Sequence, residues 1–313
     1  MTNVCNVSII IVNYNTSNLL KNCIYSIISN TYDITYEIIV SDNGSTDDSS
    51  SMIHSLFPEV FFIENHANLG FGAANNRALA QAHGKYIFYL NSDTILKNNA
   101  VKIFFDYWEH SQDCKKIGAL GCNLTDDSGN IVHSYGLFPT AKHENKKVFL
   151  DFCRLTKLSI PFIRKIHFFG QKSDLERHKI IPIIGSVEFI TGADLFVHND
   201  EHAFFDESFP LYYEDVDLCR RLSDFGKDLL LIDGPQIIHF GGKSNNTTDP
   251  LKFYSSYSKA NILGSSHRYM TKHHFTSASR TIHALFLLLI ICNPYIKKSA
   301  KRIILSGIKE KYK

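Results

Sequence analysis

Three clusters of acids and one histidine stand where this 313-residue sequence could do chemistry. Asn91-Ser92-Asp93 ends the apolar run that begins at Tyr86. A run of β-formers that stops on a carboxylate delivers it to the carboxyl edge of a sheet, where open α/β sheets bind ligands. Asp93 there suits a hard divalent cation carrying a diphosphate, or it belongs to an ordinary Asx turn. Asp42-Asn43-Gly44-Ser45-Thr46-Asp47 poses a similar choice. Asp42 either accepts the N3–H of a pyrimidine or shares in the turn and helix-cap chemistry that Ser45 and Asp47 supply. Glu214-Asp215-Val216-Asp217 follows two tyrosines. These acids either complement a helix N-terminus or include a desolvated carboxylate fit to act as a general base. Asp217 and Arg221 have the i,i+4 spacing of a surface ion pair. His239-Phe-Gly-Gly-Lys243 offers an imidazole for a metal or phosphate, or a structural hydrogen bonder, with Lys243 as a point charge. In Asn68-Leu-Gly70-Phe-Gly72, followed by Asn75-Asn76-Arg77, glycines open the backbone to a ligand at a helix start, or only permit close helix–sheet packing. The spacing is not that of a dinucleotide-binding fingerprint.

The elements that position these residues follow from the apolar pattern. Val7 to Val12 is a continuous β-branched run, as in a strand covered on both faces. Thr16 or Ser17 caps the next helix, whose stripe is Leu19, Leu20, Cys23, Ile24, Ile27 and Ile28. Strands follow at Glu37 to Val40, Val60 to Ile63 and Tyr86 to Leu90. Between the last two lies an Ala-rich helix that Gly84 terminates. Ala100 to Trp108 reads as a helix with Val101, Phe104 and Trp108 inward. Four β-α units in succession predict a doubly wound, mostly parallel sheet. Further on, Ile117 to Cys122 reads as a strand, Asp126 to Asn130 as a hairpin turn, and Val187 to Val197 as a strand interrupted at Thr191-Gly192. A helix starts near Glu214 with Leu218, Leu222 and Phe225 inward and ends at Gly226. Short strands at Leu229 to Ile232 and Ile237 to His239 come next, then helices from about Asp249. Between Pro139 and Pro182 the periodicity fades, and that stretch reads as an insertion or mobile cover.

Charge is unevenly placed. The net +2 divides into +9 from His267 to Lys313, with ten Lys/Arg and one acid, and −7 elsewhere. A basic tail with Lys297, Lys298, Lys301 and Arg302 beside Leu285-Phe-Leu-Leu-Leu289 suits an anionic membrane surface, or is a core helix with a solvated end. Nucleic acid is disfavoured, because the acids sit at strand edges with no basic–aromatic platform. Seven scattered cysteines without zinc spacing indicate reduced thiols. The N-terminus lacks the basic start of a signal peptide, and the longest apolar run, Ala284 to Cys292, is too short to span a bilayer. The expectation is a cytoplasmic protein, peripheral on the inner face of a bacterial plasma membrane.

Taken in order, the motifs resemble the family 2 glycosyltransferases, and within them the rhamnosyltransferase-like branch of bacterial surface-polysaccharide synthesis. The residues that carry the resemblance run from Val7-Ser-Ile-Ile-Ile-Val-Asn13-Tyr-Asn15 through Asp42-Asn43-Gly-Ser-Thr-Asp47, Asn68-Leu-Gly70-Phe-Gly72 with Asn75-Asn76, and Leu90-Asn91-Ser92-Asp93. They continue with Thr191-Gly192-Ala193, Phe205-Asp206, Glu214-Asp215-Val-Asp-Leu218 with Arg221, and His239-Phe-Gly-Gly. The resemblance covers roughly residues 5 to 245. It implies a GT-A fold over 1–248, with a nucleotide-sugar-binding half at 1–123, an acceptor and catalytic half at 124–248 holding the insertion 139–182, and a helical basic region at 249–313. It implies a donor site that draws on Asn13, Asn15, Asp42, Asn43, Asn68, Gly70, Asn75, Arg77, Asn91 and Ser92. Asp93 would bind Mg2+ or Mn2+, with His239 approaching the metal or the diphosphate. Asp215 would be the base, Glu214 would position it or the acceptor, and Thr191, Gly192 and Ala193 would border the acceptor sugar. Asn91 replaces the Asp of many relatives, leaving one carboxylate at the metal. The activity implied is inverting transfer to a saccharide acceptor, lipid-linked in such pathways, from dTDP-rhamnose, with UDP-hexose or UDP-galactofuranose as alternative donors. A nucleotidyltransferase or a non-catalytic sugar-binding module are the competing classes. The first would usually need a Gly-rich basic loop after the first strand, which Asn13-Tyr-Asn-Thr16 lacks.

Overall fold

The structure is a computed structural model that describes residues 5–159, 182–241 and 250–309. Its elements begin β1 (Val7–Asn13), α1 (Ser17–Asn30), β2 (Tyr36–Asp42), α2 (Ser49–Leu56), β3 (Phe61–Glu64), α3 (Phe71–Leu79), β4 (Tyr86–Asn91), β5 (Thr94–Leu96), α4 (Ala100–His110) and β6 (Ile117–Gly121). They continue with β7 (Tyr135–Gly136), α5 (Ala141–Ser159), β8 (Gly185–Ser186), β9 (Phe189–Ile190), β10 (Asp194–His198), α6 (Glu214–Asp224), β11 (Asp228–Leu231) and β12 (Ile237–His239). The last four are α7 (Pro250–Tyr254), α8 (Tyr257–Lys272), α9 (Ser277–Cys292) and α10 (Lys298–Lys309).

The chain divides into two compact units, the first comprising Met1–Phe138, Ile180–Pro210 and Glu214–Gly241. Its sheet has the order β3-β2-β1-β4-β10-β6-β11-β8. β3, β2, β1 and β4 are parallel, β10 runs against both β4 and β6, and β11 is parallel to β6. Both faces are covered, which explains the unbroken apolar runs. Ile9, Ile11, Phe88 and Leu90 share a core with Leu20 and Ile24 of α1 and Phe104 and Trp108 of α4. The alternate residues Ile10, Ile39, Ile87 and Tyr89 share the opposite core with Ala78 of α3 and Leu218 and Leu222 of α6. Two small antiparallel ribbons, β5 with β12 and β7 with β9, lie outside the main sheet.

Several local expectations change. Neither Thr16 nor Ser17 caps α1 through its side chain. The Thr16 hydroxyl donates to Asn13 Oδ1 (2.7 Å), and Asp47 Oδ2 accepts the Ser17 N–H (3.0 Å) from the neighbouring loop. Ile28 and Phe225, expected inward, are 49% and 61% exposed; Ile28 falls at the edge of the stripe beside buried Ile27, and Phe225 follows the end of α6. Helix α3 stops at Leu79, well before Gly84. Gly84 instead packs against β1, where a Cβ would sit 2.3 Å from the Ser8 nitrogen. Asp217 and Arg221 are not a surface pair. Asp217 is fully buried, and Arg221 also donates to the carbonyls of His202 and Phe204 while lying over the Phe204 ring.

The second unit comprises Pro139–Lys179, Leu211–Tyr213 and Gly242–Lys313. The segment from 139, which showed no clear period, contains the 19-residue helix α5; its remainder from 160 to 181 lies outside the described residues, as do Lys243 and the last four positions. Val148 and Leu155 of α5 share a core with Leu263 of α8, Leu287 and Ile290 of α9, and Ile304 of α10. Lys259 and Asp151 form a buried ion pair at 2.7 Å, and the Tyr254 hydroxyl also donates to Asp151. Tyr213 donates to Glu144 Oε2 (2.7 Å). The two residues before α6, Tyr212 and Tyr213, both take left-handed backbone angles, φ 65° and 72°.

Gly70 begins the loop into α3 at φ 91°, with the Phe71 N–H donating to the Pro210 carbonyl at 3.0 Å. A Cβ on Gly70 would stand 2.2 Å from that same oxygen. Gly70→Ala is therefore expected to cost about 2–3 kcal/mol and to lower the thermal midpoint by roughly 5 °C or more, measured by calorimetry.

Candidate active site

The polar residues at the carboxyl ends of β1, β2 and β4 lie side by side, since Asn13 pairs in register with Asp42 and Val12 with Asn91. Asn13 joins them. Its buried amide donates to Asp42 Oδ1 (2.8 Å), Ser45 Oγ (3.1 Å) and Ser49 Oγ (2.9 Å), and its oxygen accepts from Thr16, whose hydroxyl also meets Ser92 Oγ at 3.1 Å. Asp42 is 5% exposed. Its Oδ1 also accepts from the Ser45 hydroxyl, and its Oδ2 accepts the Ser45 N–H at 2.8 Å. The turn chemistry is thus present, and Oδ2 retains acceptor capacity for a further donor. Asn15 holds the far side of the same loop, its oxygen accepting the Thr46 N–H at 2.8 Å.

Asn43 and Asn75 are 3% and 1% exposed, their amides donating to the Gly70 and Phe71 carbonyls. They hold the 68–75 loop and reach a ligand only through it. Asn68 closes that loop by accepting the Gly70 N–H (3.0 Å), while Arg77 is exposed and donates to Asn65.

Asp93 is brought to His239 by the β5–β12 ribbon, which pairs Thr94 with His239. Asp93 Oδ1 lies 3.2 Å from His239 Nε2, and Asn91 Nδ2 lies 3.3 Å from the same nitrogen. Two atoms bound to one small divalent cation at about 2.1 Å stand roughly 3 Å apart, so the Asp93–His239 spacing fits shared ligation. A carboxylate and an imidazole are a suitable donor set for Mn2+ or Mg2+, and rotation of the Asn91 amide presents its oxygen as well. Among the described residues no group of three His, Cys, Asp or Glu side chains forms a metal cage. A divalent cation held by Asp93 and His239 would take the rest of its shell from other oxygen donors such as water or phosphate.

Asp215 opens α6 beside the same edge. Its Oδ2 accepts the Gly192 N–H (3.1 Å) and its Oδ1 the Val216 N–H (2.8 Å). The carbonyl of the next residue, Ala193, accepts the Asn91 N–H (3.2 Å), so one short turn joins Asp215 to the end of β4. Burial raises the Asp215 pKa, against the pull of these two amides and of His133. Burial, and then the charge of Asp215, hold Glu214 well above the usual carboxylate range. Glu214 Oε2, Thr191 Oγ1 and Ser134 Oγ are buried without hydrogen-bond partners. The Thr191 N–H donates to the Ser134 carbonyl (2.9 Å), extending the β7–β9 pairing by one residue and setting these two side chains across from each other.

Two residues near this site carry no motif. His133 is exposed, one position before Ser134, and interacts electrostatically with both Asp215 and His239. Asp194 follows Ala193 and is fully buried in β10 between β4 and β6. Its Oδ2 accepts the Cys122 N–H (2.7 Å), Oδ1 has no partner, and burial raises its pKa to about 7. An acid at the start of an apolar strand was a visible signal for Asp194. Nothing local marked His133.

Residues 8–151 match the model of the family described as Glycosyl transferase family 2. Among curated relatives, a chondroitin synthase of Escherichia coli is 30% identical over 141 residues, 44% of this chain and 20% of that protein. An uncharacterized glycosyltransferase of Methanocaldococcus jannaschii is 32% identical over 133 residues, 41% of this chain and 46% of that one. An N-acetylglucosaminyl-diphospho-decaprenol L-rhamnosyltransferase of Mycobacterium tuberculosis is 22% identical over 240 residues, 72% of this chain and 73% of that protein. A Pyrobaculum calidifontis mannosyltransferase solved with GDP-Man and Mn2+ superposes with a TM-score of 0.54 at 13% identity, covering 98% of this chain and 74% of that one. GalNAc-T7, solved with UDP, GalNAc and Mn2+, gives 0.55 at 12%, covering 99% and 56%. The family match includes Asp42 and Asp93 and stops before Asp215 and His239. A mostly parallel sheet of GT-A type thus surrounds these residues, and the segment 8–151, just under half of the chain, is similar to glycosyl transferase family 2.

Proposed function

We propose that the chain is an inverting glycosyltransferase that moves a sugar from a nucleoside diphosphate donor to a saccharide acceptor. The observation that carries this reading is the junction of Asp93–His239 with Asp215 through the Asn91–Ala193 and Gly192–Asp215 hydrogen bonds. It joins a donor set suited to a metal-bound diphosphate to a carboxylate with a raised pKa, which supports displacement at an anomeric carbon.

In this reading Asp42 accepts the N3–H of a uracil or thymine, and the 68–75 loop lies along the donor. A divalent cation held by Asp93 and His239 would neutralise the departing diphosphate. Asp215 takes the proton of the acceptor hydroxyl. The acceptor oxygen forms its bond to the anomeric carbon from the side opposite the breaking carbon–oxygen bond, and the electron pair of that bond leaves with the diphosphate. Glu214, whose burial favours the protonated form, donates a hydrogen bond to an acceptor hydroxyl that Thr191 also faces. Holding both partners in line supplies up to about 7–11 kcal/mol of the barrier reduction in favourable cases. The favoured donor is dTDP-rhamnose and the favoured acceptor a lipid-linked saccharide at the inner face of a bacterial plasma membrane. The mycobacterial relative supports the rhamnosyl group and the polyprenol-linked acceptor through its name and the length of its match.

Asp93→Ala and Asp215→Asn should each abolish transfer, and only Asp93→Ala should also weaken metal-dependent donor binding by calorimetry. Full turnover in Asp215→Asn would remove the base assignment. Since Asp215 acts deprotonated and its pKa is raised, kcat/KM should rise with pH through a midpoint above the ordinary carboxylate range. An acid limb at or below about pH 4 would contradict this. In a thermal-shift panel of nucleotide sugars with Mn2+ or Mg2+, dTDP-rhamnose should give the largest stabilisation; a larger shift with a UDP-sugar reassigns the donor.

A further inference from the structure

Helix α9 buries His283, Leu287 and Ile290 and turns its other side outward. On that side Ile282, Leu285, Leu288 and Leu289 are 46%, 55%, 43% and 40% exposed. These positions lie within one 120° arc of a helical wheel, and the only charge on the helix, Arg280, stands outside that arc. Large apolar side chains grouped this way mark an interaction surface. Phe149 of α5, 45% exposed, packs edge-on against Phe286 at 5.2 Å and widens the patch. Tyr295, 54% exposed, lies in the turn that leads to α10, and exposed Lys297, Lys298 and Arg302 follow it.

Charge selects the occupant. Between Asp249 and Glu310 the sequence has no Asp or Glu, so an anionic surface meets only cations there. A second copy of the chain meeting this face about a two-fold axis would bring the two sets of lysines together. Among the described residues no helix is long and apolar enough to cross a membrane, and α9 has its inner side engaged in a protein core. We propose that the outward side of α9, with Tyr295 and the cations at the start of α10, docks α9 in the plane of an anionic lipid leaflet. The leucines enter the acyl boundary, the tyrosine lies at headgroup level, and the lysines meet lipid phosphates. This deepens the reading of a lipid-linked acceptor, yet vesicle binding is measured without any sugar, so either reading can fail alone.

The test is co-sedimentation of the full chain with phosphatidylcholine vesicles containing or lacking phosphatidylglycerol. Binding is expected only with phosphatidylglycerol and should weaken as salt rises through the screening range. Leu285→Gln with Leu289→Gln should lower vesicle partition at least about tenfold, as should Lys297→Gln with Lys298→Gln. Both should keep the parent melting temperature and the parent donor turnover with a soluble acceptor. Equal partition by parent and variants, or equal binding to both vesicle types, overturns the proposal. A parent dimer in sedimentation velocity that Leu285→Gln with Leu289→Gln dissolves, without vesicle binding by the parent, assigns the face to a second copy instead.

Discussion

The site depends on one buried amide. From Ile9 to Val12 β1 is apolar on both faces, and Asn13 follows where the sheet meets polar loops. An unpaired amide at that depth would be costly, and Asn13 offsets the cost by tying three loops at once. Through Asp42, Ser45 and Ser49 it fixes the turn after β2, and through Thr16 it reaches Ser92 after β4. Asp42 thereby keeps one orientation, and the segment bearing Asp93 is tied to the start of α1. The strands supply rigidity and this hydrogen-bond hub supplies aim.

The acids of α6 are governed by a different balance. Glu214 and Asp215 are adjacent, yet their surroundings separate their behaviour. Asp215 has two backbone amides and a nearby histidine to favour its charge, whereas Glu214 is buried with one oxygen unpartnered. Neighbouring carboxyls pushed apart in this way can divide the work of accepting and holding protons. Tyr212 and Tyr213, with left-handed backbones immediately before them, show that the chain enters α6 under strain. Such strain persists only where surrounding contacts overdetermine it, and the buried Tyr213–Glu144 hydrogen bond is one of them.

Much of this was legible in the residues. Strands covered on both faces are continuous apolar runs, so β1, β2 and β4 announce themselves, and a polar residue ending such a run marks the edge where Asp42 and Asn91 lie. What escaped was what only sheet order reveals. β12 was legible as a short strand, but its three-residue partner β5 was not, and it is their pairing that sets His239 beside Asp93. The burial of Asp194 depends on β10 lying between β4 and β6, and Asp217 pairs with an Arg221 that is held by the distant carbonyls of His202 and Phe204. Helix α5 was hidden by its charges, several of which find buried partners in α8 and at Tyr213. Ile28 and Phe225 show the opposite limit, since an apolar residue at helical spacing can fall at the edge of the buried stripe or just beyond the helix end.

The ribbon that joins β5 to β12 has a consequence for how the protein is made. Asp93 and His239 come from distant parts of the chain, and that short antiparallel pairing, continued by the Phe240 N–H donating to the Asp93 carbonyl, holds them together. During synthesis, β1 to β4 emerge from the ribosome and can begin to pair long before the histidine does. A nascent or truncated chain that ends before β12 therefore lacks one half of the Asp93–His239 contact, whatever its first strands have achieved. That corner of the sheet edge is completed late, and the ribbon acts as a checkpoint that a partial translation product cannot pass.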